Sequence, residues 1–579
     1  MALISKASLL MVPSTYEPGT LFNVLPSGNR APDNKGGAGY DQTRADFDFD
    51  RGSNAAATRI NSSGLIEKYR ENLFTESNNF SDSDWNVKAG TFTQGVEDPN
   101  GGNEAWSWTA TNTDPYLYQS PKTTNGVSVL SIWVKGVGST IGTSFQIRTG
   151  AAPYNNLTLT GEWQRVEHFN TNASGTSVGF EYGNPAVAGD VVHIYAAQYE
   201  VGTIATDYLD STSVTGKAGV LVDLPRINYD ANGENGSLLL EPSRANFVSQ
   251  SEYIDSWSKT NVSVITNQTT SPEGLQNAQK IRATGTGQHY IQSATYSFVS
   301  STDYTYSVFA KKSNTSLIQI IAPSGVFGSN AFASYNFDTL EVTEGSAATA
   351  SMEDYGSGWY RLILKCTSTS AGSASSFYVV FTNDKLVRIP SFTANNEEAF
   401  VFGAQLEAGS YVSSYIPNHG ESGGVTRAAD SCSVTGASDV IGQTEGTIFA
   451  EFDSSQFLTG SYIGISDGNA THRQIFGWEA QSGDSGTLRL YGFWNGFAYS
   501  SFSKGQKIKV ALAYKNNDFA LYVNGTQAGT KTSGTISGTL SQFGFNSGGG
   551  SQKYQGNAYQ LALFKERLTN AELATLTTL

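Results

Sequence analysis

An internal repeat is the feature that most constrains how this chain can fold. Seven short blocks of sequence occur twice in the same order, first within residues 70–210 and again within residues 244–417. The offset between matched blocks rises from 173 to 207 along the repeat, so the second copy holds 34 additional residues. A repeated segment of this size is one structural unit used twice. We therefore predict two homologous modules, with the additional residues in loops between shared strands.

The matched blocks keep aromatic, amide and charged residues in the same order. They pair Asn72 with Asn246, Trp85 with Trp257, Gly101 with Gly274, Tyr118-Gln119-Ser120 with Ile291-Gln292-Ser293, Ser131–Lys135 with Ser307–Lys311, Trp163 with Trp359, and Gln198 with Gln405. Strand-like segments with alternating residues lie between clusters of turn residues, a pattern typical of a β-sandwich or jelly roll.

The composition of the whole chain also favours strands over helices. Charged residues make up only 15% of the sequence, whereas aromatic residues make up 12% and glycine occurs 61 times. An average soluble chain has about 25% charged residues, many of them on helix surfaces. Aromatic side chains and glycine suit pleated strands and tight turns. The predicted fold class is all-β, with tandem β-sandwich or jelly-roll modules, an extended N-terminal segment and a short C-terminal helix.

The remaining segments flank the two modules. Residues 46–69, 211–243 and 418–445 are connectors, each with an arginine beside apolar residues. We expect short extended strands there that dock consecutive modules. Residues 1–45 differ from everything that follows and combine the apolar run Leu9–Val12 with a stretch rich in glycine, proline and asparagine. Such a segment either buries its apolar residues against a partner protein or packs as a strand on the first module.

Residues 446–579 form the last predicted domain. Apolar and polar residues alternate in their strand-like segments, which indicates half-buried strands. Asn524-Gly525 directly after one of these segments predicts a two-residue hairpin. Thr569 and Glu572 have the spacing of a capping box, which predicts a short terminal helix. This combination resembles a concanavalin A-like, laminin-G-type jelly roll.

Several motifs together resemble one known family. They are Gly358-Trp359-Tyr360-Arg361, Gly403-Ala404-Gln405-Leu406-Glu407-Ala408-Gly409, Ser414-Tyr415-Ile416-Pro417 and Thr426-Arg427-Ala428-Ala429-Asp430. With them, the chain from about residue 46 onward resembles the carbohydrate-binding-like modules of bacteriophage head-fibre and tail-fibre proteins. Those proteins often end in a laminin-G-type domain.

The resemblance implies a role on a virus particle. It implies a virion structural protein, a fibre or spike made in the host cytoplasm and displayed on the particle surface. It further implies a homotrimer that adheres to host cell-surface glycans. Residues 1–45 would then join it to other virion proteins of the capsid or tail.

The charge balance argues against two classes of partner. The net charge is -15, and no cluster of Lys and Arg is present. Nucleic-acid phosphates and anionic membranes are bound by such clusters, so we expect neither as a partner. Membrane insertion is not expected either, because no apolar run approaches the length of about 18 residues that a membrane span needs.

Catalytic and metal-binding patterns are not found in the sequence. Glu451 and Asp453 lie at alternate positions of one strand, but a third acidic position is missing, and an edge strand with solvated charges is the simpler interpretation. The five histidines are far apart, so we expect no metal site and no cofactor. The two cysteines, Cys366 and Cys432, are interpreted as buried free thiols. We therefore predict no catalytic residues and no enzymatic activity.

Aromatic residues are the remaining route to glycan binding, because a sugar ring packs on an exposed aromatic face. Trp494, next to Asn495 and near Tyr491, is the predicted sugar platform in the last domain. The matched positions Trp133 and Phe309, and Trp163 and Trp359, are predicted to be core, as is Trp108 opposite Ile281 in the alignment. Whether Trp106 is a core or a surface residue is left undecided, because it aligns with the polar Gln279.

Three classes of function compete at this stage. A non-enzymatic virion fibre or spike agrees with the tandem modules and the unusual N-terminal segment. A polysaccharide-degrading enzyme with accessory carbohydrate-binding modules is the main alternative. A bacterial surface adhesin is the third.

Overall fold

The protein is described by a computed structural model. The structure describes residues 3, 6–15, 47–53, 56–120, 122, 124, 126–149, 155–171, 177–183, 185–222, 224–453, 461–469, 471–480, 487–492, 497–503 and 506–579. Of residues 15, 47, 48, 373–375, 478–480, 487–492 and 497–503 it describes the backbone alone. The described residues form 47 strands and two α-helices, numbered here in chain order.

The chain forms two compact units, each of which is built from more than one segment. The repeat unit contains residues Lys68–Leu221 and Ala245–Val425. The C-terminal unit contains Met1–Glu67, Val222–Arg244 and Thr426–Leu579. The two modules of the repeat are therefore inserted, one after the other, into the sequence of the C-terminal unit.

The first module consists of two antiparallel five-stranded sheets. Sheet 1a contains, in spatial order, β13 (Gln164–Asn170), β10 (Ser128–Val137), β15 (Val191–Val201), β8 (Ala105–Ala110) and β7 (Gly90–Val96). Sheet 1b contains β12 (Asn155–Thr158), β11 (Ser144–Thr149), β14 (Val178–Tyr182), β9 (Tyr116–Gln119) and β6 (Asn86–Lys88). The buried side chains of the two sheets form one aromatic-rich core.

The second module repeats this arrangement with six strands in each sheet. Sheet 2a contains β21 (Val262–Thr269), β22 (Ala278–Ala283), β35 (Glu398–Ala408), β26 (Asp303–Lys312), β31 (Trp359–Thr367) and β30 (Thr349–Asp354). Sheet 2b contains β20 (Ser258–Thr260), β24 (Tyr290–Gln292), β33 (Tyr378–Phe381), β27 (Leu317–Ile321), β28 (Phe332–Asn336) and β29 (Val342–Glu344). The added strands β29 and β30 correct the prediction that the additional residues all lie in loops.

Small elements complete the repeat unit and its borders. They are β5 (Arg70–Asn72) with β16 (Gly216–Ala218), β23 (Thr286–Gly287) with β34 (Phe392–Thr393), β25 (Tyr296–Phe298) with β32 (Gly372–Ser375), and the one-turn helix α1 (Ser324–Phe327). Strands β4 (Ile66–Lys68), β19 (Arg244–Asn246) and β36 (Val425–Arg427) lie at the segment borders.

The strand register corrects one block of the sequence alignment. Tyr118 had been matched with Ile291, but Tyr118 is half-exposed and Ile291 is fully buried. Leu117 is the buried residue of β9 and lies opposite the buried Phe180, as Ile291 lies opposite Val379. A shift of one residue moves a side chain to the other face of a sheet. Tyr118 therefore corresponds to Gln292.

The C-terminal unit is a sandwich of two large sheets with a terminal helix. One sheet contains β17 (Ile227–Asn228), β18 (Ser237–Leu240), β47 (Gly556–Phe564), β38 (Glu445–Asp453), β43 (Lys507–Lys515), β44 (Phe519–Val523) and β45 (Thr526–Lys531), with β1 (Leu9–Met11) also on β47. The other contains β2 (Phe47–Asp50), β37 (Ser431–Val434), β46 (Gln542–Gly544), β39 (Ser461–Ser466), β40 (Arg473–Ala480), β41 (Thr487–Gly492) and β42 (Phe497–Ser503). Strand β3 (Thr58–Ile60) pairs with β4.

The connectors and the N-terminal run are strands of this sandwich. Leu9 and Met11 lie opposite Leu563 and Leu561 and are fully buried in its core. Leu9 and Met11 therefore pack within the C-terminal unit, which corrects the reading of this run as a strand on the first module. Attachment of residues 1–45 to other virion proteins stays a prediction. Phe49 of the first connector and Leu238 of the second belong to the same core.

The fold class agrees with the prediction. The described chain is almost entirely strand, and the predicted terminal helix is α2 (Asn570–Thr577). Its capping box is formed: the N–H of Glu572 donates to Thr569 Oγ1 at 3.3 Å, and the N–H of Thr569 donates to Glu572 Oε2 at 2.8 Å. Residues 16–46, most of the predicted extended segment, lie outside the described residues. The two cysteines are buried and free, as predicted.

Candidate functional site

The residues that the repeat retains are buried polar groups. The side-chain amide of Asn72 donates to the carbonyls of Ala197 and Leu209 at 3.1 and 2.9 Å, and its oxygen accepts the N–H of Tyr199 at 3.1 Å. Asn246 makes the same three bonds in the second module, to Ala404, Ile416 and Leu406. Each asparagine thus fastens the segment that follows the last long strand onto the start of its module.

The glutamine and glutamate of the Gly-Ala-Gln-Leu-Glu-Ala-Gly block have the same structural role. Gln405 Nε2 donates to Glu407 Oε1 at 3.0 Å, and Glu407 accepts the N–H and hydroxyl of Ser413 at 2.8 and 2.7 Å. Gln198 and Glu200 repeat this pattern in the first module. All four side chains are buried. The side chains of the motif that carries the family resemblance therefore stabilise the fold and are not available to a ligand.

An aromatic and polar patch covers the outer face of sheet 1b. Tyr116 and Tyr118 occupy alternate positions of β9, and their rings stack with centroids 4.9 Å apart. Gly179 on β14 makes room for this pair, because a Cβ there would lie 2.6 Å from the Cβ of Tyr118. The guanidinium of Arg148 lies 5.0 Å from the Tyr116 ring centroid, and its Nη1 is 2.7 Å from Glu181 Oε2.

This face, called the tyrosine face below, has the chemistry of a sugar site. Half-exposed tyrosine rings offer apolar surface to the C–H face of a pyranose. Arg148 supplies hydrogen-bond donors and Gln146, also half-exposed on the same face, supplies both donors and acceptors. Because Glu181 neutralises Arg148, the face has little net charge of its own.

The corresponding face of sheet 2b is partly covered by residues 382–391. Gln319, which corresponds to Gln146, donates to the carbonyl of Val387 at 3.1 Å and accepts the N–H of Ile389 at 2.7 Å. Ser334 donates to the carbonyl of Lys385 at 3.0 Å. The covering segment thus leaves a pocket at one end of the sheet face.

This pocket, called the Arg388 pocket below, has a volume of about 380 Å³. Its lining includes Gln288, Tyr290, Ile321, Tyr378, Arg388 and Ile389. The rings of Tyr290 and Tyr378 meet edge to face with centroids 5.1 Å apart. Arg388 Nη2 donates to the carbonyl of Ala322 at 3.0 Å, and burial lowers the pKa of its guanidinium.

Two tryptophans of module 1 that were predicted to be core are less buried than expected. Trp133 and Trp163 are half-exposed, whereas their counterparts Phe309 and Trp359 are buried. In module 2, Tyr355 from the segment after the added strand β30 packs edge to face on Phe309 at 4.8 Å. Module 1 lacks this added segment, so Trp133 has no such covering ring and stays more exposed than Phe309. The prediction of a core position is confirmed for Phe309 and Trp359 and is wrong for Trp133 and Trp163.

The structure decides the position of Trp106 and Trp108. Both are buried, and strands β8 and β22 have the same alternation of buried and half-buried residues. Trp106 Nε1 donates to the carbonyl of Asn78 at 2.7 Å. Gln279 Nε2 donates to the carbonyl of Glu252, also at 2.7 Å. The two unlike side chains therefore make equivalent hydrogen bonds inside their modules.

The predicted sugar platform lies only in part within the described residues. Trp494 and Asn495 lie outside the described residues. Tyr491 is on β41, where its backbone lies opposite Gly477 on one side and Ala498 on the other. The site at Trp494, Asn495 and Tyr491 stays a prediction.

Glu451 and Asp453 lie on one face of β38, as their spacing predicts, but β38 is a central strand between β47 and β43 and not an edge strand. Asp453 is 7% exposed and accepts the hydroxyl of Tyr559 at 2.7 Å. Glu451 lies 3.9 Å from the ammonium groups of both Lys507 and Lys509. The interpretation as solvated charges is therefore wrong for Asp453, which is held inside the sheet.

Buried charges also lie between the two modules of the repeat unit. Lys68 Nζ is 3.0 Å from Glu252 and 2.9 Å from Glu273. Burial raises the pKa of Glu273, with Glu252 adding to the effect. Burial, together with Lys68, lowers the pKa of His419 to about 3, so this imidazole is neutral at ordinary pH. The described part of the chain holds no cluster of three or more His, Cys, Asp or Glu side chains suited to a metal ion. It also holds no helix long and apolar enough to cross a membrane.

No protein-family model and no curated protein matches this sequence. Solved structures that match include the CBM40 of a Ruminococcus gnavus IT-sialidase bound to α2,3-sialyllactose, at 15% identity over 25% of this chain and 88% of that one, with a TM-score of 0.20. The tandem CBM22-1–CBM22-2 domain of Paenibacillus barcinonensis Xyn10C matches at 12% identity over 62% of this chain and 100% of that one, with a TM-score of 0.22.

Sialidases are also among the matching structures. Trypanosoma rangeli sialidase in complex with sialic acid matches at 11% identity over 90% of this chain and 93% of that one, with a TM-score of 0.21. These enzymes are glycoside hydrolases, so the exclusion of enzymatic activity made from the sequence is corrected and does not stand. At such identities and TM-scores, none of the likenesses assigns an activity, a ligand or a family to this chain.

Proposed function

We propose that this chain is a bacteriophage fibre or spike protein of the head or tail that adheres to host-surface glycans through its repeat modules. The observation that carries the adhesion is the tyrosine face of sheet 1b. Two stacked, half-exposed rings lie beside the Arg148–Glu181 pair on an open sheet surface. Apolar ring surface bordered by a few fixed polar groups is what a sugar site needs. The particle role is supported by the sequence motifs that resemble fibre proteins.

Tandem modules would also help a weak binder. Single sugar contacts are weak, and linking several sites on one chain raises the apparent affinity by avidity. Assembly of several chains, as in the trimer that the family resemblance implies, would multiply the sites again. The proposal therefore places low-affinity sites on each module and gains strength from their number.

Replacing Tyr118 with alanine tests the tyrosine face. We expect the affinity of the intact protein for its best glycan on an array to fall by about tenfold, since a stacking ring contributes roughly 1–1.5 kcal/mol. Tyr253→Ala is the matched control, because Tyr253 is a half-exposed tyrosine of the same unit that packs on Phe169 outside this face. Equal binding by both variants and the parent would contradict the assignment. Release of sugar from the bound glycan would show a hydrolytic activity as well.

The particle role has its own test. Residues 16–45 are the part of the N-terminal segment that lies beyond the strand at Leu9–Met11, and we expect them to join the protein to the capsid or tail. Replacing them with a glycine-serine linker of equal length should abolish incorporation into particles, as seen by electron microscopy with a labelled antibody. Incorporation at the parent level would refute attachment through this segment.

A further inference from the structure

Arg388 is the charged residue that lines the Arg388 pocket, whose lining residues are all described. Its Nη2 is held by the carbonyl of Ala322 at 3.0 Å. Within the described part of the chain, its buried Nε has no hydrogen-bond partner and no carboxylate oxygen lies within 4.0 Å of its guanidinium. Arg148 on the tyrosine face differs, because Glu181 already pairs with it at 2.7 Å.

A partly buried cation without a counter-charge is an unfavourable arrangement. Removing a guanidinium from water weakens its charged form, which agrees with the lowered pKa of Arg388. A carboxylate offsets this cost best, because its two oxygens match the planar donors of arginine. The pocket is therefore complementary to an anionic group of that shape.

The side chains that line the pocket are suited to a sugar ring that carries such an anionic group. Tyr290 and Tyr378 meet edge to face, and Ile321 and Ile389 add apolar surface beside them. Gln288 lines the same space and can bond sugar hydroxyls. A volume of about 380 Å³ is at the small end of ligand pockets, which run from about 300 to 1,000 Å³. The space suits a terminal sugar better than the middle of a long chain.

We propose that the Arg388 pocket binds a carboxylate-bearing sugar, with the carboxylate on Arg388 and the ring against Tyr290 and Tyr378. The proposal rests on the proposed glycan adhesion and names the ligand class of one of its sites. The two modules then divide their ligands by charge. The tyrosine face, with Arg148 neutralised by Glu181, takes uncharged sugars, and the Arg388 pocket takes acidic ones.

Calorimetry with trigalacturonate and with its methyl ester tests the ligand class on the intact protein. The free acid is expected to bind at least about tenfold more tightly than the ester, since hydrogen bonds between charged groups are the stronger ones. Arg388→Gln should remove this preference and leave the affinity for the ester within about twofold. Arg282→Gln is the matched control, because Arg282 is a half-exposed arginine of the same module that pairs with Glu398 outside the pocket.

Two further measurements separate binding from folding. Thermal unfolding of Arg388→Gln should stay close to the parent, and Tyr378→Ala should weaken the acid and the ester alike. Equal affinity for acid and ester, or an Arg388→Gln variant that keeps the preference, overturns the proposal. If neutral glycans bind and neither uronate ligand does, this inference fails and the proposed function stands. If no glycan binds the intact protein at all, the proposed adhesion fails with it.

Discussion

Replacing Asp430 with alanine is expected to lower the free energy of unfolding of the C-terminal unit by about 3–5 kcal/mol. Asp430 is 4% exposed and belongs to a buried cluster of three arginines and two acids. Its carboxylate contacts Arg226 Nη2 and lies 3.4 Å from Arg51 Nη1, and it also accepts the N–H of Glu241 at 2.8 Å. Removing it leaves two buried guanidinium groups without their shared acid, which is the costly event.

The rest of the cluster cannot compensate for that loss. Glu241 already lies 2.7 Å from both Arg226 and Arg427 through its Oε2. After the substitution this one carboxylate would face three buried positive charges. Asp430→Asn, which keeps the size of the side chain but not its charge, is expected to cost less than alanine yet remain clearly destabilising.

A surface pair in the same unit provides the control. Glu445 and Lys515, with side chains 36% and 53% exposed, lie 3.0 Å apart. Exposed ion pairs contribute about 0–1 kcal/mol, so Glu445→Ala should change the unfolding free energy by no more than that. Chemical denaturation followed by tryptophan fluorescence would measure both variants. A similar, small effect of the two substitutions would show that the buried cluster does not hold the connectors together.

The sequence reveals the modules because their signals are local and occur twice. Asn72 and Asn246, or Gln198 and Gln405, bond within their own module, so the repeat preserves them and an alignment finds them. The capping box of α2 is predictable for a similar reason, since its two residues are three positions apart. Both features can be predicted from short sequence patterns and from comparison of the chain with itself.

The C-terminal unit is harder to foresee because its partners are far apart in sequence. Leu9 pairs with Leu563 across both inserted modules, and Arg226 contacts Asp430 across the second. A strand of three residues is too short for its sequence pattern to predict which distant strand it pairs with. The arginine in each connector was visible in the sequence, but the common cluster of Arg226 and Arg427 around Glu241 was not.

The tyrosine face and the Arg388 pocket were not predicted from the sequence, for a related reason. Tyr116 and Tyr118 alternate with the buried Leu117, which is the ordinary pattern of a half-buried strand. The sequence alignment placed Tyr118 opposite Ile291 and so concealed that it faces solvent. Arg388 comes from a segment that the first module does not have, so comparison of the two copies gives no signal for it. Both proposed binding positions are therefore positions at which the two copies differ.

The last prediction concerns the N-terminal strand. Leu9→Ala is expected to lower the unfolding free energy of the C-terminal unit by about 2–5 kcal/mol, because Leu9 is fully buried against Leu563 and its loss leaves a cavity. Ser14→Ala, at an exposed position of the same segment, should change it by less than about 0.5 kcal/mol. Denaturant unfolding would measure both, and an unchanged Leu9→Ala variant would contradict the pairing of β1 with β47. If the effect is found, deleting residues 1–45 removes part of a folded core, and reduced incorporation of that deletion into particles would report misfolding as readily as lost attachment.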